Sequence, residues 1–234
     1  MAQLIPVFKP LLEQEEKDAA VKAIESGWLG PGTFVHEFEQ KCGDWIGASD
    51  RHVVGVSTGT AAVHLALWLA GVGPGDEVIT PSFNNIADFQ MIRLLGAEPV
   101  FCDILDDTWC IDTAKIEPLI TPSTKAIIAL DYGCQLCDID KVQAIGDRHG
   151  LRVIYDAAHS FGSKSQGRKV GSFSDLCTFS FDPVKNFTTI DGGLVVVRTE
   201  EEKRRLLSAR SLGQEQSLDK IKSNDRSWTY EVLD

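Results

Sequence analysis

Seven short apolar runs, most of them rich in β-branched residues, recur along the 234 residues and leave few folds open. They occupy residues 53–56, 77–80, 99–103, 125–130, 151–155, 176–181 and 194–198. A run that is apolar without alternation buries both its faces, as a strand does inside a parallel sheet covered on two sides. The segments between carry helical spacing: 13–26, 34–46, 61–70, 86–95, 113–120 (capped by Asp112), 139–148 and 200–212. The expected fold is therefore α/β, a mainly parallel sheet with helices on both faces in three αβα layers. Ligands of such sheets sit beyond the carboxyl ends of the strands. Residues 57–60, 81–85, 131–133 and 156–159 all follow strand ends, so they are expected to converge on one site.

The stretch 151–197 says most about chemistry. The run 151–155 delivers Asp156 at its carboxyl end, and the next run carries Ser180 before breaking at Pro183. Lys185 follows in a short polar loop, and Gly192-Gly193 opens the last strand. Taken alone, a loop lysine reads as a solvated side chain, and Asp156 reads as a cap for the turn that follows it. Together, a lysine on a loop between two strands and a carboxylate at a strand end suit pyridoxal phosphate chemistry. The amine forms the Schiff base, and the anion keeps the pyridine nitrogen protonated. Gly59 and Thr60 open a helix after a strand, where backbone amides and the helix dipole favour a phosphate. A plain capping turn at Ser57 or Thr58 is the competing reading.

These residues carry a resemblance. Asp156-Ala157-Ala158-His159, Gly171-Ser172, Asp175, Phe179-Ser180-Phe181, Lys185-Asn186, Thr188 and Asp191-Gly192-Gly193 keep the order and spacing of a known pattern. It is that of the DegT/DnrJ/EryC1/StrS family of PLP-dependent sugar aminotransferases, and the similarity runs from Pro6-Val7-Phe8-Lys9-Pro10 to the end of the chain. The resemblance implies the large domain of a fold-type-I PLP-dependent transferase. It implies pyridoxal 5'-phosphate as cofactor, Lys185 as the catalytic Schiff-base lysine, and Asp156 as partner of the pyridine nitrogen. Gly59, Thr60 and Ser180 would hold the phosphate, His159 would lie near the ring, and Asn186 would contribute as well. One position departs from the pattern: Asn85 stands where the family places an aromatic on the pyridine ring, leaving Phe83, or an amide face with His159, to cover it.

The implied reaction moves an amino group from glutamate to a keto group of a nucleotide-linked sugar, as in polysaccharide biosynthesis, within a homodimer that shares its active sites. Two rivals remain. A sugar dehydratase of similar sequence has His in place of the lysine, so Lys185 counts against it; the other is a non-catalytic binding protein or inactive fragment. By the same resemblance, residues 1–33 form an N-terminal arm and first helix. Residues 34–234 form a PLP-binding domain that is incomplete, roughly the first three-fifths of a full-length enzyme without its small C-terminal domain.

Composition narrows partners. Twenty-three Lys and Arg against 34 Asp and Glu give a net charge of −11, which repels phosphate backbones and makes nucleic acid an unexpected partner. No apolar stretch reaches membrane-spanning length and the first residues lack a signal-peptide pattern, so a cytoplasmic location is expected. Six scattered cysteines fit no disulfide framework. Cys134 and Cys137 have CxxC spacing, but no second ligand pair accompanies them, so no metal site is expected.

Overall fold

The structure is a computed structural model and describes residues 9–213. The first residues of the family resemblance and the polar stretch 214–227 therefore lie outside the described residues. Seven strands form one sheet: β1 (His52–Val56), β2 (Glu77–Pro81), β3 (Glu98–Cys102), β4 (Thr124–Leu130), β5 (Arg152–Asp156), β8 (Leu176–Ser180) and β9 (Gly193–Val197). Across the sheet the order is β1-β9-β8-β5-β4-β2-β3, parallel throughout except for β9, which runs antiparallel to both neighbours. A parallel return from β8 would need a helical crossover, and residues 181–192 contain none. The chain therefore turns back directly into β9.

Helices cover both faces. On one side α2 (Thr33–Ile46) and α5 (Ile139–His149) bury Ile46, Val142 and Ile145 against Val153, Tyr155 and Phe179. On the other, α3 (Gly59–Leu69), α4 (Ile86–Leu94) and α6 (Glu200–Arg210) bury Leu67, Ile92 and Leu206 against Ile128, Ile154 and Val195. Alternate residues of one strand enter opposite cores, Ile127 one and Ile128 the other, which is why these runs read as continuously apolar. Helix α1 (Gln14–Glu25) has no buried residue. After it, the Trp28 indole N–H donates to the Pro31 carbonyl and closes the turn that leads to α2.

One expectation is corrected. Residues 113–120 form two short 3-10 turns, Thr113–Lys115 and Glu117–Leu119, in place of one helix. Pro118 has no N–H to donate to the Ala114 carbonyl, so an α-helix cannot run through it, although Asp112 caps the first turn by accepting from the Ala114 N–H. The basic loop after β5 contains a small hairpin, β6 (Lys164–Ser165) with β7 (Arg168–Lys169). Gln166 and Gly167 both take positive φ there, as a two-residue hairpin turn of the primed type requires.

Candidate active site

The strand ends are brought together by two close backbone approaches. Gly193 starts β9 directly beneath the turn after β1: a Cβ there would lie 2.4 Å from the Thr58 carbonyl oxygen. Gly59 meets the end of β8, where a Cβ would fall 2.5 Å from the Cβ of Ser180. Both positions need glycine because a neighbouring chain occupies the space of a side chain, not because of a left-handed backbone. Gly59→Ala is expected to destabilise the full-length protein by about 1–3 kcal/mol through this overlap. A urea unfolding series reads that loss as a lower midpoint at unchanged slope.

The helix α3 begins with free donors. The Thr58 hydroxyl accepts from the Ala61 N–H and the Thr58 carbonyl from the Ala62 N–H. The N–H groups of Gly59 and Thr60 take no partner among the described residues. These two amides, the positive end of the helix and the Ser180 hydroxyl face one cavity of about 300 Å³, within the ordinary range for small-molecule sites.

Asp156 lines that cavity from the end of β5, almost fully buried. Its backbone is fixed by the Asp131 N–H donating to its carbonyl, and one carboxylate oxygen accepts from the Ala158 N–H at 3.0 Å. Burial pushes its pKa up to about 6, against the opposing pull of that hydrogen bond and of Lys185. His159 lines the wall one turn on. The Gly133 N–H donates to His159 Nδ1 at 3.1 Å, so in the neutral ring the proton sits on Nε2. Burial, then the charge of Lys185, lowers the His159 pKa and favours that neutral form.

Lys185 lines the cavity on a turn whose shape is set locally. Asp182 accepts the Val184 N–H on its side chain and the Lys185 N–H on its carbonyl, with Pro183 between them. Asn186, the next residue, is not part of the lining: its side-chain amide donates to the Phe161 carbonyl at 2.8 Å. Asn85 does line the cavity, while its Oδ1 accepts from the Ala87 N–H and caps α4. Phe83 does not. It packs outside with Trp109 and Tyr132, at centroid distances of 5.7 and 4.7 Å. Of the sequence-derived candidates, Gly59, Thr60, Asn85, Asp156, His159, Ser180 and Lys185 thus share one cavity.

Two carboxylates escaped the sequence reading. Asp131 is fully buried and accepts from the Tyr155 hydroxyl, the Ser160 hydroxyl and the Cys137 N–H, which pins the loop that presents Gly133 to His159. Asp88 lines the cavity itself from the first turn of α4. Its only signal in the sequence was a carboxylate three residues after a helix cap, which normally faces solvent. The cysteines are all unpaired, and Cys137 is buried while Cys134 is exposed. Among the described residues no three His, Cys, Asp or Glu side chains are grouped to hold a metal ion, and no helix is long and apolar enough to cross a membrane.

An α/β sheet of this order, with a lysine and a buried carboxylate at its strand ends, is the large domain of a fold-type-I PLP-dependent transferase. The chain matches the model of the DegT/DnrJ/EryC1/StrS aminotransferase family over residues 10–230, and it belongs to that family. It is 40% identical over 230 residues to the spore coat polysaccharide biosynthesis protein SpsC of Bacillus subtilis (strain 168), covering 97% of this chain and 58% of SpsC. The solved structure of the aminotransferase TlmJ from Streptoalloteichus hindustanus superposes with a TM-score of 0.87 at 32% identity, over 99% of this chain and 60% of TlmJ. DesI, solved in the presence of its TDP-sugar product, gives a TM-score of 0.80 at 31% identity, over 88% of this chain and 52% of DesI. The chain therefore spans little more than half the length of these relatives.

Proposed function

We propose that the full-length protein is a PLP-dependent aminotransferase that transfers the amino group of glutamate to a keto group of a nucleotide-linked sugar. One observation carries the reading: an amine, a buried carboxylate and two unpartnered helix amides line the same small cavity. The fit is chemical as well as spatial, since each of these groups suits a different part of pyridoxal 5'-phosphate. When bound, that cofactor supplies an electron sink for charge developing on the substrate carbon.

The residues divide the remaining work. The Gly59 and Thr60 N–H groups and the Ser180 hydroxyl hold the phosphate. Asp156 would accept from the protonated ring nitrogen. His159 offers a donor on Nε2, because Gly133 occupies Nδ1. Asn85, whose side-chain oxygen is engaged as a cap, would offer its amide face to the ring. Lys185 is the amine that would hold the cofactor covalently and, as a free amine, could carry a proton to and from the substrate carbon. Asn186 serves indirectly, by tying the lysine loop to Phe161.

The sugar substrate is supported by family membership and by the similarity to DesI, which was solved in the presence of its TDP-sugar product. A homodimer fits the site's position at open strand ends, where a second surface would exclude water. The test is to assay the full-length protein with glutamate against a panel of nucleotide-linked keto sugars, with light scattering on the same sample. A glutamate-dependent amino sugar and a dimeric mass are expected. Loss of a sugar hydroxyl without amine incorporation would establish the dehydratase alternative. A fully active monomer would overturn the shared site.

A further inference from the structure

The cavity contains a second buried acid that the proposed chemistry does not use. Asp88 and Asp156 both line it, 1% and 4% exposed, and among the described residues Lys185 is the only lysine or arginine side chain in its wall. The other ionisable groups of the lining are His159, held neutral, with Asp182 and Asp191.

The start of α4 explains how Asp88 came to face inward. An acid at the third position of a helix ordinarily reaches back to the N–H of the cap residue. Here two asparagines do that work. The Asn84 side-chain oxygen accepts the Asn85 N–H, and the Asn85 side-chain oxygen accepts the Ala87 N–H. Asp88 is released from capping. It turns into the cavity instead, where the Asn84 side-chain amide donates to its Oδ2 at 2.6 Å. That bond fixes the carboxyl in place, and Oδ1 is not used by any backbone group.

Two carboxylates in one buried cavity cannot both ionise cheaply, so the pair retains a proton. Which acid keeps it follows from their partners. Asp156 accepts an N–H from Ala158 and feels Lys185, and both favour its charge. Asp88 also feels Lys185, but its hydrogen bond is to the neutral Asn84 amide and no backbone N–H, and burial and the repulsion of Asp156 outweigh both. The first turn of α4 favours an anion at Asp88, but this is a smaller effect than burying a second negative charge.

We propose that Asp88 is a positioning residue that stays a neutral carboxylic acid and, as a hydrogen-bond donor in the cavity, keeps Asp156 ionised for the ring nitrogen. The donor role rests on Asp156 being the ring partner; the protonation of Asp88 does not. The burial of both acids supports the assignment, and burial with Asp156 nearby pushes the Asp88 pKa well above its ordinary value.

The full-length apoprotein permits a test that needs no turnover. Infrared difference spectra at neutral pH, with carbon-13 aspartate, should contain the carbonyl stretch of a protonated carboxylic acid that Asp88→Asn removes. Cofactor affinity supplies the second readout. Asp88→Asn keeps a donor and an acceptor, and should bind pyridoxal phosphate within about threefold of wild type; Asp88→Leu keeps neither, and should bind at least tenfold more weakly. Rescue by asparagine separates a hydrogen-bond role from mere packing. A missing protonated-acid band, or Asp88→Asn binding as weakly as Asp88→Leu, would overturn the proposal. Were pyridoxal phosphate not bound by the wild type at all, the infrared band would still decide the state of Asp88.

Discussion

Lys185→Ala should give a folded protein that neither retains cofactor covalently nor transaminates. Among the described residues lining the cavity Lys185 is the only amine, and so the only one placed to form the imine. The fold should survive, because the loop is held by contacts that the lysine side chain does not make. Asp182 accepts the Val184 and Lys185 N–H groups, the Asn186 amide reaches Phe161, and the Phe181 carbonyl accepts from Thr188 and Thr189. A half-buried loop residue without core contacts changes stability by about 0.5 kcal/mol or less when truncated. Turnover should fall by at least roughly a thousandfold, the scale on which loss of a covalent catalyst is felt. Borohydride treatment followed by peptide mass analysis checks the assignment. Cofactor mass on the peptide containing Lys185 in wild type, and on none in the variant, is expected. A variant still carrying reduced cofactor elsewhere in the cavity would sink the role given to Lys185.

The elements that determine this site were legible where one physical requirement dominates. A strand buried on both faces must be apolar along most of its length, and β4, β5, β8 and β9 announce themselves that way, with polar residues mainly near their ends. Gly59 and Gly193 were legible as helix start and strand start, yet the reason they are glycine became visible only with the backbone of Thr58 and the side chain of Ser180 pressed against them. Lys185 and Asp156 could be paired by motif because both follow strand ends, and the sheet order then brings those ends together.

What was hidden depended on geometry that spacing does not encode. The direction of β9 follows from the absence of a crossover helix, and an apolar run reads the same in either direction. Phe83 was a reasonable candidate to cover the ring, but Trp109 and Tyr132 offered it an aromatic pocket outside the cavity. Asn186 sits next to the lysine in sequence, and successive side chains in a turn point apart, so it reaches Phe161 instead. Asp88 was hidden for the opposite reason. Its position in a first helical turn is so ordinary for an acid that only its burial betrays a different use.

The second large effect concerns Asp156→Asn, and it should move stability and activity in opposite directions. The folded-state pKa of about 6 lies above the ordinary value of 3.8, so folding of the empty protein penalises the charged carboxyl, which ionises only above about pH 6. Its stabilising contribution is therefore complete below the unfolded value and is lost as pH rises through 6. Above that pH the charge costs the empty fold on the order of 3 kcal/mol, an amount the amide of the variant does not incur. The apo variant should thus melt higher than wild type at pH 8 and no higher at pH 4. Binding reverses the balance, because a protonated ring nitrogen offers the buried carboxylate the partner it lacks, and asparagine cannot hold that proton in place. Turnover should fall roughly a hundredfold or more, comparable to removing a preorganised charge from other active sites. Calorimetry at the two pH values and steady-state rates on the same preparations read both signs. A variant with near-normal turnover would remove Asp156 from the ring nitrogen. One that lost apo stability at pH 8 would mean that the carboxylate serves the fold and not the site.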